Sequence, residues 1–479
     1  MPLILGTNSI KDTGFDVANS CRFNSGSSDF LGANQFSNTA FDSTKKFTLS
    51  VWVKKTSNGV DNSIFGVESD VGSDGKTTQF YFDTSDQLRF YDNFNNVSDV
   101  KTNRVFRDNS AFYNIILAVD YTQSTNSNRV KIIVNGEQET SLATSTYANQ
   151  NDNITALQQN RGIILGVNEN TGGTKYGYFN GYMSEFVFLD GIAADQTSFG
   201  EVDSDSGIFK PIDVSGLTFG TNGFYLDYED SSALGNDAAG SNNFTVNNLT
   251  ATDQSTDTCT NNFAVLNPLN YGANYTFSEG NLQFAQSATN WDTAYSSIAV
   301  TKGKWYMEFK GKVGAYYDIG VTDVVDAANN ISVNSGCVAY KSNGEFARAG
   351  AVGDGLPSTV TDPASNTYTA DDIMGIAIDV DNEAVYFSKN GTYEVNSDPT
   401  SGASKTGAVT LPNSGSTYFF AFAAYKGGAA SGTGQVNFGG GSVDAISSGN
   451  TDADGFGNFE HAPPSGYFAL CTKNLAEYG

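Results

Sequence analysis

Short stretches of alternating apolar and polar residues recur along almost the whole chain. Each is closed by Gly, Asn, Asp or Ser, and no helical period intervenes. In Phe47-Thr48-Leu49-Ser50-Val51-Trp52-Val53, for example, Phe47, Leu49, Val51 and Val53 fall on one face of a strand and Trp52 on the other. Comparable runs follow at Ser63–Val67, Gln79–Asp83, Leu88–Tyr91, Phe112–Val119, Arg129–Val134, Arg161–Val167 and Tyr176–Leu189. They resume at Lys304–Lys310, Tyr317–Val321, Cys337–Tyr340, Ile373–Asp379, Ala384–Ser388, Tyr418–Tyr425 and Val436–Phe438. Strands spaced this evenly, without helices between them, exclude βαβ units and predict antiparallel sandwiches. Composition agrees, because 34 Phe and 24 Tyr suit pleated surfaces and 51 Gly suit turns. Ile192–Phe199 alone reads as a short helix.

The pattern breaks over 231–273, which is polar and aperiodic and reads as a linker. That predicts an N-terminal arm at 1–17, one sandwich at 18–230, a second at 274–460, and a C-terminal segment at 461–479. Within the sandwiches one arrangement recurs. Ala118-Val119-Asp120 leads through a turn to Val130–Val134 and Asn135-Gly136; Ala377-Ile378-Asp379 leads to Ala384–Lys389 and Asn390-Gly391. Asn-Gly is a strong hairpin signal. The repeat reads equally as two related domains or as a common hairpin ending.

The formal charge is −26. Such a chain repels phosphate backbones and anionic lipid, so neither nucleic-acid binding nor membrane insertion is expected. No stretch reaches the ~20 apolar residues of a membrane helix, and Met1–Gly6 lacks the basic start of a secretory signal. Cys21, Cys259, Cys337 and Cys471 form no CxxC and read as free thiols. The acidity itself reads as solubility or as divalent-cation capture by acidic loops.

Lys46–Trp52, Phe112–Asp120, Val130–Gly136 and the closing Phe179-Asn180-Gly181-Tyr182-Met183-Ser184-Glu185-Phe186 resemble a laminin-G-like, or concanavalin-A-like, lectin domain. Gly303–Phe309, Asp318–Val321, Asp372–Asp379, Ala384–Gly391, Phe419–Ala424 and Val436–Gly439 resemble a SPRY domain, which shares that sandwich. The fold class implied is all-β, two concanavalin-A-like jelly-roll β-sandwich domains joined by a polar linker. The ends, Met1–Ser9 and Ala462–Leu475, and the central Asn242–Leu249 resemble structural proteins of marine tailed bacteriophages, of fibre or decoration type. This resemblance implies a virion protein made in the host cytoplasm, exposed on the particle and packed against other virion proteins as a homo-oligomer, a trimer by analogy. Its expected role is non-enzymatic recognition of host-surface polysaccharide. The alternatives are a structural decoration or connector protein and a glycan-degrading enzyme.

Catalytic machinery is hard to assemble from these residues. His461 is the single histidine, and no G-x-S-x-G elbow accompanies it. The nearest thing to a hydrolytic carboxylate pair is Asp227 and Glu229, read as neighbours on one strand face. For ligand contact, Trp291 in a turn is the leading aromatic, with Asp292 beside it. The SPRY resemblance adds edge-loop residues Asn343, Arg348 and Lys426. For calcium, the acidic loop carrying Glu68, Asp70 and Asp74 is the candidate.

Overall fold

A computed structural model describes residues 12–33, 40–68, 75–159, 161–170, 172–312, 316–349, 359–360, 367–428 and 431–479. The fold is almost entirely β. The described chain divides into two compact units, Asp12–Thr260 and Asn261–Gly479.

In the first unit, one sheet runs Glu137–Gln138, Val130–Val134, Tyr113–Asp120, Lys46–Lys55, Gly181–Asp190, Ser20–Phe23, Gln254–Ser255. Phe224–Leu226 also pairs with Gly181–Asp190. The facing sheet runs Leu142–Thr146, Ser98–Val105, Gln87–Asp92, Thr78–Phe82, Asn62–Val67, Ile163–Leu165, Phe30–Ala33, Thr245–Asn247. Phe47, Leu49, Val51 and Val53 point into the core between them. There Phe47, Phe65, Phe188 and Phe224 stack in succession at 5.3–5.9 Å between ring centroids. Each such ring contributes about 1.5–3 kcal/mol of burial. A bulge between Ser184 and Val187, with Glu185 at φ +51°, lets Met183 and Phe186 both reach this core. Trp52 lies on the opposite face, 5% exposed and stacked on Phe209 at 6.1 Å.

The second unit repeats the architecture. One sheet runs Leu266–Tyr271, Asp292–Val300, Tyr418–Tyr425, Tyr316–Thr322, Cys337–Lys341, Phe346–Ala349, Thr359–Val360. The other runs Tyr275–Ser278, Gln283–Gln286, Gly432–Asn437, Lys304–Gly311, Ile373–Asp379, Ala384–Lys389, Thr392–Tyr393. Trp305 is fully buried between them and donates from Nε1 to the Lys302 carbonyl at 2.8 Å.

The repeated sequence arrangement has one geometry in both units. Lys46 lies opposite Asp120 and Lys304 opposite Asp379, at the same corner of each meander. Both pairs are ionic, at 3.5 and 2.9 Å. The two Asn-Gly turns have φ of +49° and +80° at Asn135-Gly136 and +49° and +78° at Asn390-Gly391. Positive φ at both central residues defines the type I′ hairpin.

Three expectations need correction. The segment 231–273 is no linker: Thr245–Asn247 and Gln254–Ser255 add strands to the first unit, and Leu266–Tyr271 is a strand of the second. Its polar residues build turns. Asp237 accepts from the backbone N–H groups of Tyr225, Ala239 and Asn242, while Asn242 donates to the Thr221 and Gly223 carbonyls. The segment 461–479 belongs to the second fold, where the helix Thr472–Tyr478 buries Leu475 in the core. Within Ile192–Phe199 only a single 3₁₀ turn forms, Gln196–Ser198, capped by Asp195. Of the expected arm, residues 1–11 lie outside the described residues, and Val17 is buried with its N–H on Thr260 Oγ1 at 3.0 Å.

Candidate functional site

Tyr418–Tyr425 alternates strictly: Tyr418, Phe420, Phe422 and Ala424 enter the core of the second sandwich. Phe419, Ala421 and Ala423 face outward, where Ile331 packs over the alanines. Tyr425 continues the outward row past the end of that cover and is half-buried. In the neighbouring strand Tyr317, Ile319 and Val321 take the core side, so Tyr316 is left outside, 57% exposed and directly opposite Tyr425. On the other flank Asp292 pairs with Ala424, which brings the preceding Trp291 beside Tyr425.

Three aromatic rings therefore meet at one end of one sheet. Trp291 and Tyr425 have centroids 5.7 Å apart at 34°, and Tyr425 and Tyr316 are 6.1 Å apart at 46°. They form an angled apolar shelf longer than a single sugar ring. Around it stand the exposed Asn290, the half-buried Asn274 and Lys426. Gly427, at φ +58°, lies against Tyr316, where an added Cβ would sit 3.3 Å from the ring.

Asp292 holds the shelf from beneath. It is 2% exposed and accepts from Asn274 Nδ2 (2.6 Å), Asn274 N (3.2 Å) and Gln286 Nε2 (3.1 Å). Its place as a ligand contact is corrected accordingly: its oxygens are spent on fixing the 272–292 loops. Arg348 is corrected too, being 6% exposed with Nε on the Thr410 carbonyl at 2.8 Å. Asn343 is exposed in the hairpin after Cys337–Lys341, at the shelf end of the sheet, since Lys341 pairs with Asp318 near Tyr316. Its Oδ1 accepts from the Glu345 N–H. Thus Trp291, Lys426 and Asn343 share one end of the sandwich, and Asp292 and Arg348 are internal. Tyr316 and Tyr425 were not anticipated; the signal was the aromatic ending an outward row of alanines.

Glu68 pairs with Lys175 at 3.6 Å, and Asp70 and Asp74 lie outside the described residues. Among the described residues no group of three His, Cys, Asp or Glu side chains is placed to hold a metal ion. No helix there is long and apolar enough to cross a membrane. The four cysteines are free, three of them buried.

Glu185 and Glu308 have pKa values raised to about 7. Burial pushes Glu185 to about 7, and it accepts from Tyr225 Oη at 2.6 Å. Burial likewise pushes Glu308 to about 7 while it accepts the backbone N–H groups of Glu460 and His461. They are 7% and 3% exposed. Asp227 and Glu229 are not a strand pair: the strand ends at Leu226, Tyr228 turns at φ +59°, and Asp227 accepts from the Glu229 N–H.

The two jelly-roll sandwiches have the concanavalin-A-like fold. Residues 28–194 match the laminin-G-type family model described as the Concanavalin A-like lectin/glucanases superfamily. No curated protein matches the chain. Among solved structures, the SPRY domain of human HERC1 aligns at 11% identity over 38% of this chain and 99% of its own, with a TM-score of 0.28. The CBM40 of the Ruminococcus gnavus IT-sialidase aligns at 16% identity over 35% and 92%, TM-score 0.26. A heptameric SAP-like pentraxin from Limulus polyphemus aligns at 12% over 36% and 77%, TM-score 0.27.

Proposed function

We propose that the chain is a non-enzymatic surface protein of a virion that recognises bacterial surface glycans through the Trp291–Tyr425–Tyr316 shelf. The observation that carries this reading is the shelf itself. Aromatic faces accept the C–H faces of sugar rings, and amides at the rim can hydrogen-bond the hydroxyls. The family description of residues 28–194, in the first unit, names lectins and glucanases, which supports carbohydrate as the ligand class of the protein. Placement on a phage particle is supported by the terminal and central sequence resemblance. It carries with it packing against other virion proteins, a homo-oligomeric state and exposure on the particle. The absence of catalysis is supported by the near-complete burial of Glu185 and Glu308.

The test is adsorption of the purified protein to a microarray of bacterial surface polysaccharides, with and without EDTA. Saturable binding that weakens at least tenfold in Trp291→Ala and in Tyr316→Ala supports the reading. Binding unchanged in both variants removes the shelf from it. A protein that binds no glycan and instead co-assembles on purified capsids or tails is a decoration protein.

A further inference from the structure

A cavity of about 410 Å³, counted to its open mouth, lies on the second sheet of the second sandwich. Met307, Phe309 and Val436 of that sheet point into the core, so their neighbours in sequence face the other way. The cavity floor is two rows of these outward residues: Glu308 beside Asn437, and Lys310 between Gln435 and Ile373. Val443 and Ile446 line it from the segment that follows the strand Gly432–Asn437. Glu460 stands at the Glu308 end, with its N–H on Glu308 Oε2 at 3.0 Å.

The two ends differ in charge. At one, Lys310 and Lys312 both donate to Asp444 Oδ2, at 2.7 and 2.8 Å, and Lys312 also meets Asp371 at 3.0 Å. Those charges cancel. At the other, Glu308 is 3% exposed and takes only uncharged donors: the N–H groups of Glu460 and His461 and the Tyr306 hydroxyl. Glu460 accepts from the Ser447 N–H at 2.7 Å and from the Ser447 hydroxyl. Among the described residues no lysine or arginine acts on either carboxyl. The remaining titratable groups facing Glu308 are Tyr306, Tyr393 and His461, and burial disfavours the charged form of each. A carboxylate held away from water without a countercharge is unfavourable, and Glu308 accordingly keeps its proton up to about 7.

We infer that this cavity binds a small primary ammonium compound, its nitrogen between Glu308 and Glu460 and a short unbranched carbon chain along Val443, Ile446 and Ile373. The cavity is on the opposite sheet from the aromatic shelf and does not depend on glycan binding. An ammonium brings three N–H donors and the countercharge that this end lacks. The chain's charge of −26 draws cations towards it. A divalent metal ion fits less well. It wants six or more oxygens, and among the described residues no third acidic, histidine or cysteine side chain converges here. The nearby amides are engaged, Gln435 Nε2 with Gln283 Oε1 at 3.1 Å and Asn437 Nδ2 with the Asn458 carbonyl at 2.8 Å.

Ligand-observed NMR with n-butylammonium tests this on the full chain, with n-butanol and calcium chloride as comparison probes. Saturable binding of butylammonium is expected at pH 8, in Trp291→Ala as in the wild type, and n-butanol should bind about tenfold more weakly or not at all. Affinity should fall about tenfold between pH 8 and pH 5.5, as Glu308 takes up its proton. Glu308→Gln removes the charge, and Ala445→Trp fills the mouth from an exposed position of the lining. Each should weaken binding about tenfold or more. Ala445→Trp leaves both carboxyls in place and tests the cavity even where Glu308→Gln fails to fold. Four results overturn the site: no saturable binding of butylammonium, equal binding of n-butanol, displacement by equimolar calcium, or binding that survives Ala445→Trp.

Discussion

Asp292 and Trp291 are adjacent, yet the fold gives them opposite tasks. Replacing Trp291 removes a half-buried ring that forms the shelf and packs on the edge of the cluster of Tyr295, Ile331 and Ala421. Replacing Asp292 by Ala strands the amides of Asn274 and Gln286, and an unpaired buried donor costs about 1–3 kcal/mol. Asp292→Ala is therefore expected to lower the melting temperature and loosen the shelf together, whereas Trp291→Ala should lose glycan binding with a smaller fall in melting temperature. Equal melting temperatures for the two variants would remove Asp292 from its supporting role. Lys54 makes the same point in the first sandwich. It is fully buried, 2.8 Å from Asp257 Oδ2 and flanked by the Phe112 and Tyr182 rings. Asp257→Ala removes the carboxylate that meets this buried ammonium and should destabilise the unit by about 3–5 kcal/mol in chemical denaturation. Sequence could not separate these roles. A polar residue in an apparent loop looks the same whether its oxygens face solvent or distant amides, and both Asp292 and Arg348 found internal partners.

At the scale of elements, the period-2 strands and the Asn-Gly hairpins were legible because they rest on neighbours in sequence. The segment 231–260 was not, because its strands pair with residues more than 200 positions away: Thr245 with Gly32 and Gln254 with Cys21. Polarity there signalled turns rather than a tether. The shelf was half legible for the same reason. Trp291 stands out in any reading, but its junction with Tyr425 and Tyr316 depends on the register across three strands. The two type I′ turns give a matched prediction. Gly136 and Gly391 hold φ of +80° and +78°, and a Cβ would meet the Phe209 ring at 2.6 Å in one case and His461 Nδ1 at 2.9 Å in the other. An L side chain in this region costs roughly 1–2 kcal/mol before any clash. Gly136→Ala and Gly391→Ala should each lower the denaturation midpoint. The loss should be larger for Gly136, whose obstacle is a ring already stacked on Trp52, than for Gly391, whose obstacle is a half-exposed loop side chain. The reverse order would mean that Phe209 moves aside more readily than its packing suggests.

For the whole molecule, the buried carboxyls set how stability varies with pH. Burial raises Asp92 and Asp190 to about 6, and Glu185 and Glu308 to about 7. In the unfolded chain such groups release their protons near pH 4. Between about pH 4 and 7 the unfolded state thus binds fewer protons than the folded one, and stability falls as pH rises through that window. For Glu185 the loss reaches about 3 kcal/mol once pH exceeds 7. Opposing this, Asp444 is held at about 2 by hydrogen bonds from Lys310 and Lys312, and partners also depress Asp120 and Asp372. Their stabilisation is present above the ordinary carboxylate range and is lost as pH falls below it. The two trends cross near pH 4, and mutual repulsion within a chain of charge −26 adds to the decline on the alkaline side. Melting temperature is therefore expected to peak around pH 4 and to drop by pH 8. Glu185→Gln keeps an acceptor for Tyr225 and carries no charge, so it should raise the melting temperature at pH 8 and raise it far less at pH 4. A wild-type curve that is flat or rising from pH 5 to 8 contradicts the burial argument as a whole. A correct wild-type curve with no effect of Glu185→Gln at pH 8 assigns the slope to the other three carboxyls.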